Sequence, residues 1–208
     1  MKNEICKVSV CNGQGNEEEL SLCIGADITK CLQMNEQWTK SFIEQIQELQ
    51  AAHPSEDLDS IVRTYSFEDA HWNWVNKFIG LNTDEYIWFS LEHKTQIESA
   101  MIVKHPQSSR FDNENIFYID YLAVAPWNRH NPIKEKVFKG LGPLLIKEAG
   151  KHLKVQLRYR EGFGLHSLPK AANFYQKIGM KDFGPDTTKQ NLSYFEMEEL
   201  IARSFIYG

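Results

Sequence analysis

The chain has 208 residues, 42% of them hydrophobic and 25% charged, which is the balance of an ordinary globular domain and excludes a disordered or collagen-like chain. Its 23 basic and 28 acidic residues give a formal net charge of -5, so bulk electrostatics does not attract nucleic acid and we expect no nucleic-acid partner. The first residues form no apolar signal segment and no apolar run approaches membrane-spanning length, so we expect a cytoplasmic protein with no membrane partner.

Cysteine usage gives no indication of a metal site. The four cysteines are Cys6, Cys11, Cys23 and Cys31, and none forms a C-x-x-C pair or has a histidine at zinc-ligand spacing. We therefore expect reduced thiols and no bound metal.

The first 81 residues are interpreted as a mostly helical elaboration that is integral to one domain, with residues 82–208 as its core. Apolar residues at every second position predict a strand within 18–28. Apolar residues at helical spacing predict an amphipathic helix over 37–50. A further helix is predicted over 66–80, with Ser66 as its N-cap.

The second part of the chain alternates strands and helices more regularly. The predicted strands cover 86–91, 97–103, 116–124, 155–159, 180–183 and 192–197. Residues 106–115 are polar and predict a loop. One helix is predicted to begin at 140–142 and another to cover 169–178, each with a proline in its first turn.

Two glycines stand between the strand over 116–124 and the helix that follows it. Gly140 and Gly142 lie at the start of this helix, where bare N–H groups and the absence of side chains suit the oxygens of a phosphate. A glycine turn that serves packing alone produces the same pattern, so the motif gains weight only in combination with others.

Three segments in combination resemble a known family. They are Leu122-Ala123-Val124-Ala125-Pro126-Trp127-Asn128-Arg129, then Lys139-Gly140-Leu141-Gly142, and the helix with Phe174-Tyr175 followed by Gly179-Met180. Over about residues 86–197 the chain resembles the GNAT-type N-acetyltransferases. This resemblance implies an α/β (α+β) fold with a mixed, splayed central sheet flanked by helices, and acetyl-CoA as acetyl donor without a metal.

The resemblance also assigns cofactor-binding residues. Backbone groups of Leu122, Ala123 and Val124 are expected to pair with the pantetheine arm of the cofactor. The expected pyrophosphate site consists of Arg129, Lys139, Gly140, Leu141 and Gly142. Asn173 and Tyr175 are expected to lie near the pantetheine and the thioester sulfur.

The phosphate loop departs from the family pattern at one position. Val137 stands where the family usually has Gln or Arg, and 130–138 reads as an insertion between Arg129 and the two glycines. The cation that faces the phosphates therefore stays open among Arg129, Lys134, Lys136 and Lys139.

Two side chains are candidates for acid–base catalysis. Tyr175, placed near the sulfur by the resemblance, is expected to protonate the leaving thiolate, although its spacing also fits a packed core tyrosine. Asp120 is the one carboxylate in the apolar strand 116–124 and is expected to accept the amine proton, unless it is a hydrogen-bonded structural aspartate. His166 is the rival base, because its ordinary pKa suits proton transfer near neutral pH.

The sequence therefore predicts an acetyl-CoA-dependent N-acetyltransferase that acts on a primary amine of a small molecule or on an amino terminus. Direct transfer is favoured over a covalent acyl-enzyme because residues 82–208 contain no cysteine. The alternatives are an acyltransferase that uses a longer acyl-CoA and a non-catalytic acyl-CoA-binding module. Four aromatic residues suit either an acceptor pocket or the core and receive no assigned role: Trp72, Trp74, Trp88 and Tyr121.

Overall fold

The protein is built on one mixed sheet, seen here in a computed structural model that describes residues 3–65 and 67–208. The strands are β1 (Asn3–Cys11), β2 (Glu17–Ile24), β3 (Tyr86–His93), β4 (Gln96–Ser108), β5 (Asn115–Val124), β6 (Phe163–Ser167), β7 (Lys181–Asp186) and β8 (Leu192–Met197). They lie side by side in the order β1-β2-β3-β4-β5-β6-β8-β7. Neighbouring strands are antiparallel except β5 and β6, which run parallel.

Helices cover both faces of this sheet. They are α1 (Ile28–Ala52), α2 (Leu58–Thr64), α3 (Trp74–Leu81), α4 (Leu141–Leu157), α5 (Ala172–Lys177) and α6 (Glu199–Tyr207). Helix α1 begins where the Asp27 carboxylate accepts the Thr29 N–H at 2.8 Å, and α3 begins where Asn73 accepts the Asn76 N–H at 2.9 Å. These side-chain caps satisfy backbone donors that have no partner inside the helix, so they fix where each helix starts.

The two helical layers enclose two apolar cores. One core lies under α1, α2 and α3, and the other lies under α4, α5 and α6. Adjacent residues of β3 enter opposite cores, Trp88 the first and Phe89 the second, because side chains alternate between the faces of a sheet. A mixed sheet with helices on both faces confirms the predicted fold class.

The residues before 82 belong to the same sheet. Strand β2 pairs with β1 on one side and with β3 on the other, where Leu22 lies opposite Leu91. The strand predicted within 18–28 is present as β2, whereas β1 was not predicted. Only Val8 and Val10 of β1 are buried, so the alternating apolar signal in this strand is short.

The prediction of a strand over 155–159 is wrong. Helix α4 continues through Val155 and ends where Arg158 takes a left-handed conformation with φ of 57°. Val155 is 79% exposed, so its β-branched side chain lies on the solvent face of the helix. The strand that follows this helix is β6.

Two further boundaries differ from prediction. The helix predicted over 66–80 begins only at Trp74, because the preceding residues form turns, and Ser66, its predicted N-cap, lies outside the described residues. The loop predicted over 106–115 is shorter as well, because β4 still pairs with β5 at Ser108.

The sheet opens between β5 and β6. These strands pair at three positions, of which the last joins Ile119 to Leu165. Strand β5 continues to Val124, and in this stretch β4 is its pairing partner within the described residues. The sheet is therefore split along the last residues of β5, as the sequence resemblance implied.

A β-bulge lies where the split begins. Ile102 of β4 is opposite Tyr121, but the next residue, Val103, is opposite Ile119. Asp120 is therefore the additional residue of the bulge. A bulge bends its strand and re-aims the side chains around it, which brings Asp120 to the opening.

Candidate active site

The last residues of β5 present backbone groups to the opening. The N–H of Ala125 donates to the carbonyl of Glu98 on β4 at 2.9 Å. Backbone direction alternates along an antiparallel strand. Leu122 and Val124 therefore turn their N–H and C=O groups toward the opening, whereas Ala123 turns its own toward β4.

The backbone of Ala123 belongs to the β4–β5 ladder, so its assignment to the cofactor stays a prediction that these hydrogen bonds do not favour. Its carbonyl also accepts the Ser99 hydroxyl at 2.9 Å. The Val124 carbonyl accepts the Nε–H of Arg129 at 2.7 Å. Within the described residues, this leaves the N–H and C=O of Leu122 and the N–H of Val124 for a bound strand-like ligand.

Helix α4 begins beside the end of β5. Gly140 caps it with φ of 72°, a left-handed conformation that favours glycine. None of the backbone hydrogen bonds in the described residues uses the N–H of Leu141 or Gly142. A β-carbon added at Gly142 would lie 3.8 Å from Val124 Cγ2, so the bare helix start lies against the strand end. Free N–H groups at the positive end of a helix form an anion site.

A cavity of about 750 Å³ lies toward the other end of the opening. Because the sheet is split there, side chains from both faces line it: Trp72 and Lys77 from the α3 side and Tyr175 from α5. Asp120 lies between them on β5. At the usual rise of a strand, Asp120 and Val124 are about 13 Å apart. One extended path therefore joins the cavity to the start of α4.

Tyr175 places its ring in the core and its hydroxyl at the cavity. The residue is 8% exposed, and its ring lies against Phe174 and Phe195 with centroids 5.2 and 6.0 Å away. No hydrogen bond among the described residues involves its hydroxyl, which is therefore available to a ligand. Burial raises the pKa of Tyr175 to about 12, so this hydroxyl is a proton donor at neutral pH.

Asp120 is a partly buried carboxylate without a fixed hydrogen-bond partner in the described residues. Its side chain is 16% exposed, and its Oδ1 lies 4.0 Å from the Nζ of Lys189. Burial raises the pKa of Asp120, against the opposing effect of Lys189 and Lys77. A carboxylate with a raised pKa in a cavity suits proton acceptance better than an ordinary surface aspartate does.

His166 is already engaged on both ring nitrogens. Its Nε2 lies 3.2 Å from Asp186 Oδ2, so the carboxylate fixes the proton on Nε2, and Nδ1 accepts the Tyr118 hydroxyl at 2.7 Å. Burial lowers the pKa of His166, which favours the neutral ring. His166 therefore offers the cavity no free lone pair, and the geometry favours Asp120 as the base.

Lys77 lies in a corner formed by two aromatic rings. Its Nζ is 3.2 Å from the ring centroid of Tyr121 and 4.6 Å from that of Trp72. The two rings meet edge to face, with centroids 4.9 Å apart. Burial lowers the pKa of Lys77 to about 8, and the negative charges of Asp120 and Asp69 oppose this effect.

Of the four aromatic residues considered from the sequence, Trp72 and Tyr121 line the cavity, and Trp74 and Trp88 are buried in the core. Sequence reasoning missed Lys77. The signal was present, because Lys77 is the one charged residue of helix α3, as Asp120 is of strand 116–124.

Arg129 makes several contacts within the protein that hold its elements together. Its Nη1 and Nη2 donate to the two carboxylate oxygens of Asp69 at 2.5 and 2.8 Å, and its guanidinium lies 4.9 Å from the Phe42 ring centroid. Together with its bond to the Val124 carbonyl, these contacts tie β5 to α1 and to the segment before α3. The donors of Arg129 already have protein partners, so its assignment to the cofactor stays a prediction that these contacts do not favour.

The lysines near the phosphate loop differ in their contacts. Lys134 Nζ pairs with Glu48 of α1 at 2.5 Å. The end of the 130–138 segment is held in place, because Phe138 is 1% exposed and its N–H donates to Asn128 Oδ1 at 2.8 Å. Lys139 is exposed beside Gly140, and it remains the candidate cation nearest the bare helix start.

Asn173 does not share a helix face with Tyr175. The two residues are two positions apart on α5, which places them about 200° apart around the helix axis. Asn173 is exposed, whereas Tyr175 is buried at the cavity. The two residues therefore face different surroundings, and a contact between Asn173 and the cofactor stays a prediction.

The described residues contain no group of three or more His, Cys, Asp or Glu side chains arranged to hold a metal ion. Of the helices in residues 3–65 and 67–208, none combines the length and apolar character that crossing a bilayer requires.

No protein-family model matches the sequence, and no curated protein matches it. Among solved structures, the chain is similar to an uncharacterized protein from Bacillus halodurans at 11% identity, over 98% of this chain and 96% of that one, with a TM-score of 0.56. It is also similar to the PaiA N-acetyltransferase from Thermoplasma acidophilum in complex with coenzyme A, at 14% identity over 86% and 99% of the chains, with a TM-score of 0.49.

A GNAT-family acetyltransferase from Listeria monocytogenes is similar at 15% identity over 93% and 99% of the chains, with a TM-score of 0.47. Other matched structures include a KacTA–DNA complex, at 13% identity over 64% and 84% of the chains, with a TM-score of 0.44. The absence of a nucleic-acid partner stays a prediction. At such identities likeness concerns the fold alone. The mixed sheet split between β5 and β6 is the architecture that the sequence resemblance implied, and the chain resembles the GNAT acetyltransferases in fold.

Proposed function

We propose that the protein is an acetyl-CoA-dependent N-acetyltransferase that transfers the acetyl group directly to a primary amine. The observation that carries the proposal is the separation of β5 from β6 beyond Ile119. This separation joins the bare start of α4 to the cavity around Asp120 and Tyr175 through unpaired backbone groups of β5. The sequence further leads us to propose that the protein acts in the cytoplasm.

The residues along the path fit the parts of the donor. The N–H groups of Leu141 and Gly142 suit the pyrophosphate, because they lie at the positive end of α4. The free backbone groups of Leu122 and Val124 suit the amides of the pantetheine arm, in the manner of strand addition. When bound, acetyl-CoA supplies an activated thioester, and the path ends in the cavity.

Asp120 prepares the acceptor amine. An ammonium group has no lone pair, so it must lose a proton before it attacks a carbonyl carbon. Asp120 lines the cavity, and its raised pKa makes it a better proton acceptor than an ordinary aspartate. The neutral amine then attacks the thioester carbonyl, so a carbon–nitrogen bond forms and the carbon–sulfur bond breaks. CoA leaves as a thiolate, and the second proton lost by the nitrogen passes through solvent to that thiolate.

Tyr175 stabilises the leaving sulfur by donating a hydrogen bond. Its pKa of about 12 lies well above the ~8.5 of an ordinary thiol. Complete proton transfer to the thiolate is therefore uphill by several kcal/mol. A hydrogen bond to developing negative charge needs no complete transfer, and it is stronger in a partly buried site than in water.

The test is acceptor-dependent release of free thiol from acetyl-CoA over a panel of primary amines. We expect release that requires an acceptor and that falls in Asp120→Asn but not in the control Asp59→Asn, whose carboxylate is 83% exposed on α2. Binding of CoA without release for any acceptor would indicate a binding module. Faster release from a longer acyl-CoA would indicate a different donor.

A further inference from the structure

We infer that the acceptor is a small primary amine that also bears an acidic group, of the α-amino acid class, and that Lys77 and Lys189 bind this acidic group. The inference rests on the proposed function, because it names the acceptor of the same site. It follows from the charges in the cavity wall, from the position of Lys77, and from the distance between Lys189 and Asp120.

Positive charge exceeds negative charge in the cavity wall. Two lysines, Lys77 and Lys189, and a single carboxylate, Asp120, are among its described lining residues. Asp69 is the other carboxylate close to Lys77, and it is already paired with both terminal nitrogens of Arg129. One lysine charge in the wall therefore lacks a matching anion, although the whole chain carries a formal charge of -5.

Lys77 is held where a ligand anion would reach it. The faces of Tyr121 and Trp72 fix its ammonium in the wall of the cavity, and such cation–π contacts orient a cation without neutralising it. The side chain is half-buried, which weakens its hydration. A carboxylate brought into the cavity supplies the missing counter-charge, and the attraction is stronger there than at the surface.

The spacing of the charged groups limits the size of the acceptor. Lys189 Nζ lies 4.0 Å from Asp120 Oδ1. An amine that gives its proton to Asp120 and an acid group that contacts Lys189 must therefore be close together in one molecule. One or two carbon atoms between them satisfy this condition. A polyamine, by contrast, places its additional cations against the two lysines, which is unfavourable.

The experiment compares acceptors that differ only in the acid group. A panel of L-α-amino acids is tested beside their α-amides, with spermidine as a polycationic acceptor, and thiol release from acetyl-CoA is measured. For the side chain that the enzyme accepts best, we expect kcat/KM to be at least about tenfold higher for the acid than for the amide, the scale of one lost charge-assisted contact. Equal or better rates with the amide or with spermidine would overturn the inference.

Two variants locate the effect. In Lys77→Met and Lys189→Gln we expect KM for the amino acid to rise about tenfold, with a change of less than about threefold for the amide. Lys40→Gln removes the same charge from an exposed site on α1, where the side chain is 76% exposed, and should leave both acceptors unchanged. An equal loss for acid and amide in both variants would contradict binding of the acid group by the lysines.

A binding measurement separates this inference from the proposed function. N-acetyl amino acids and their amides are titrated into the protein in the presence of CoA, with NMR as readout. Preference for the acid that disappears in Lys189→Gln supports the inference even without turnover. Absence of thiol release for every acceptor contradicts the proposed function, and absence of any preference for the acid contradicts the inference alone.

Discussion

Tyr175 and Asp120 show how one residue meets structural and chemical requirements together. The ring of Tyr175 packs against Phe195 in the core, while its hydroxyl reaches the cavity. Asp120 owes its position to a bulge, which a sequence pattern does not reveal. Both residues were predicted from the sequence and both line the cavity, because a phenol in the matching motif and a single carboxylate in an apolar strand are each conspicuous.

Replacement of Tyr175 by phenylalanine tests its chemical role. The change removes a hydroxyl without a protein partner, so we expect unfolding free energy and CoA affinity to stay unchanged. We expect kcat to fall about 100-fold, the lower end for loss of one hydrogen-bond donor to developing negative charge. Tyr207→Phe, at a residue 52% exposed on α6, is the matched control. An unchanged kcat in Tyr175→Phe would show that the hydroxyl has no role in the reaction and that Tyr175 serves packing alone.

Replacement of Asp120 by asparagine tests the burial of its charge through stability. Burial raises the pKa of Asp120 in the folded protein, so folding disfavours its charged form. The wild type therefore loses free energy of unfolding as the pH rises from the unfolded pKa of ~3.9 through the higher folded pKa. We therefore expect Asp120→Asn to unfold at higher urea concentration than wild type at pH 7. The difference should disappear near pH 3. Lower stability of the variant at pH 7 would indicate a favourable ion pair instead.

The contact of Arg129 with Asp69 and the position of Lys77 at the cavity could not be predicted from the sequence, for physical reasons. The sequence places Arg129 in the turn where the resembled family has its arginine, but the partner Asp69 lies 60 residues earlier in the chain. A contact of that sequence separation depends on the tertiary fold. For Lys77 the helix pattern predicts the wrong surroundings, because an amphipathic helix normally directs its lysines to solvent. The cavity that Lys77 lines forms only where the sheet is split, which the helix pattern does not reveal.

At the scale of elements, the start of α4 is the feature on which the proposed cofactor binding depends. A side chain at Gly142 has room in the folded protein, since its β-carbon would lie 3.8 Å from Val124. A larger side chain there would occupy the space in front of the bare N–H groups. We expect Gly142→Val to lower CoA affinity at least about tenfold, equal to ~1.4 kcal/mol, with little change in stability. Calorimetry on the folded variant measures this affinity. Unchanged CoA affinity would show that the phosphate does not bind at the start of α4.

The link between β5, α1 and the segment before α3 is a second test at this scale. Arg129 and Asp69 have side chains 14% and 9% exposed, so loss of one partner leaves a buried charge. We expect Arg129→Gln to reduce the free energy of unfolding by about 3 kcal/mol, with CoA affinity of the folded variant within about threefold of wild type. Arg63→Gln is the control, because that side chain is 82% exposed. A large loss of CoA affinity at unchanged stability would indicate that Arg129 contacts the phosphates of CoA.

Elements were predictable where local pattern and tertiary packing agree. Strand β5 combines a long apolar run with a proline just beyond it, and β8 was predicted with its observed bounds. The error over 155–159 arose because Val155 favours strands by propensity, while the helix retains it on an exposed face. Strand β6 was missed because its five residues include Gly164, His166 and Ser167, which interrupt the apolar pattern.

At the scale of the whole molecule, the split sheet makes the site. Beyond Ile119, side chains of the α1–α3 layer and of the α4–α6 side meet in one cavity. The sequence implied this architecture through motifs for the cofactor half. The acceptor half depends on α3 and on the turn that carries Lys189, for which no motif exists, so its chemistry became visible only in the structure.

Hydrogen exchange of individual β5 amides, measured by NMR with and without CoA, tests the central claim most directly. The N–H groups of Leu122 and Val124 face the opening, whereas those of Tyr121 and Ala123 face β4. We expect CoA to slow exchange at Leu122 and Val124 by at least about tenfold and to leave Tyr121 and Ala123 within about twofold, because new hydrogen bonds form only on the open edge. Uniform protection of all four amides, or none at Leu122 and Val124 while CoA is bound, would contradict cofactor binding between β5 and β6.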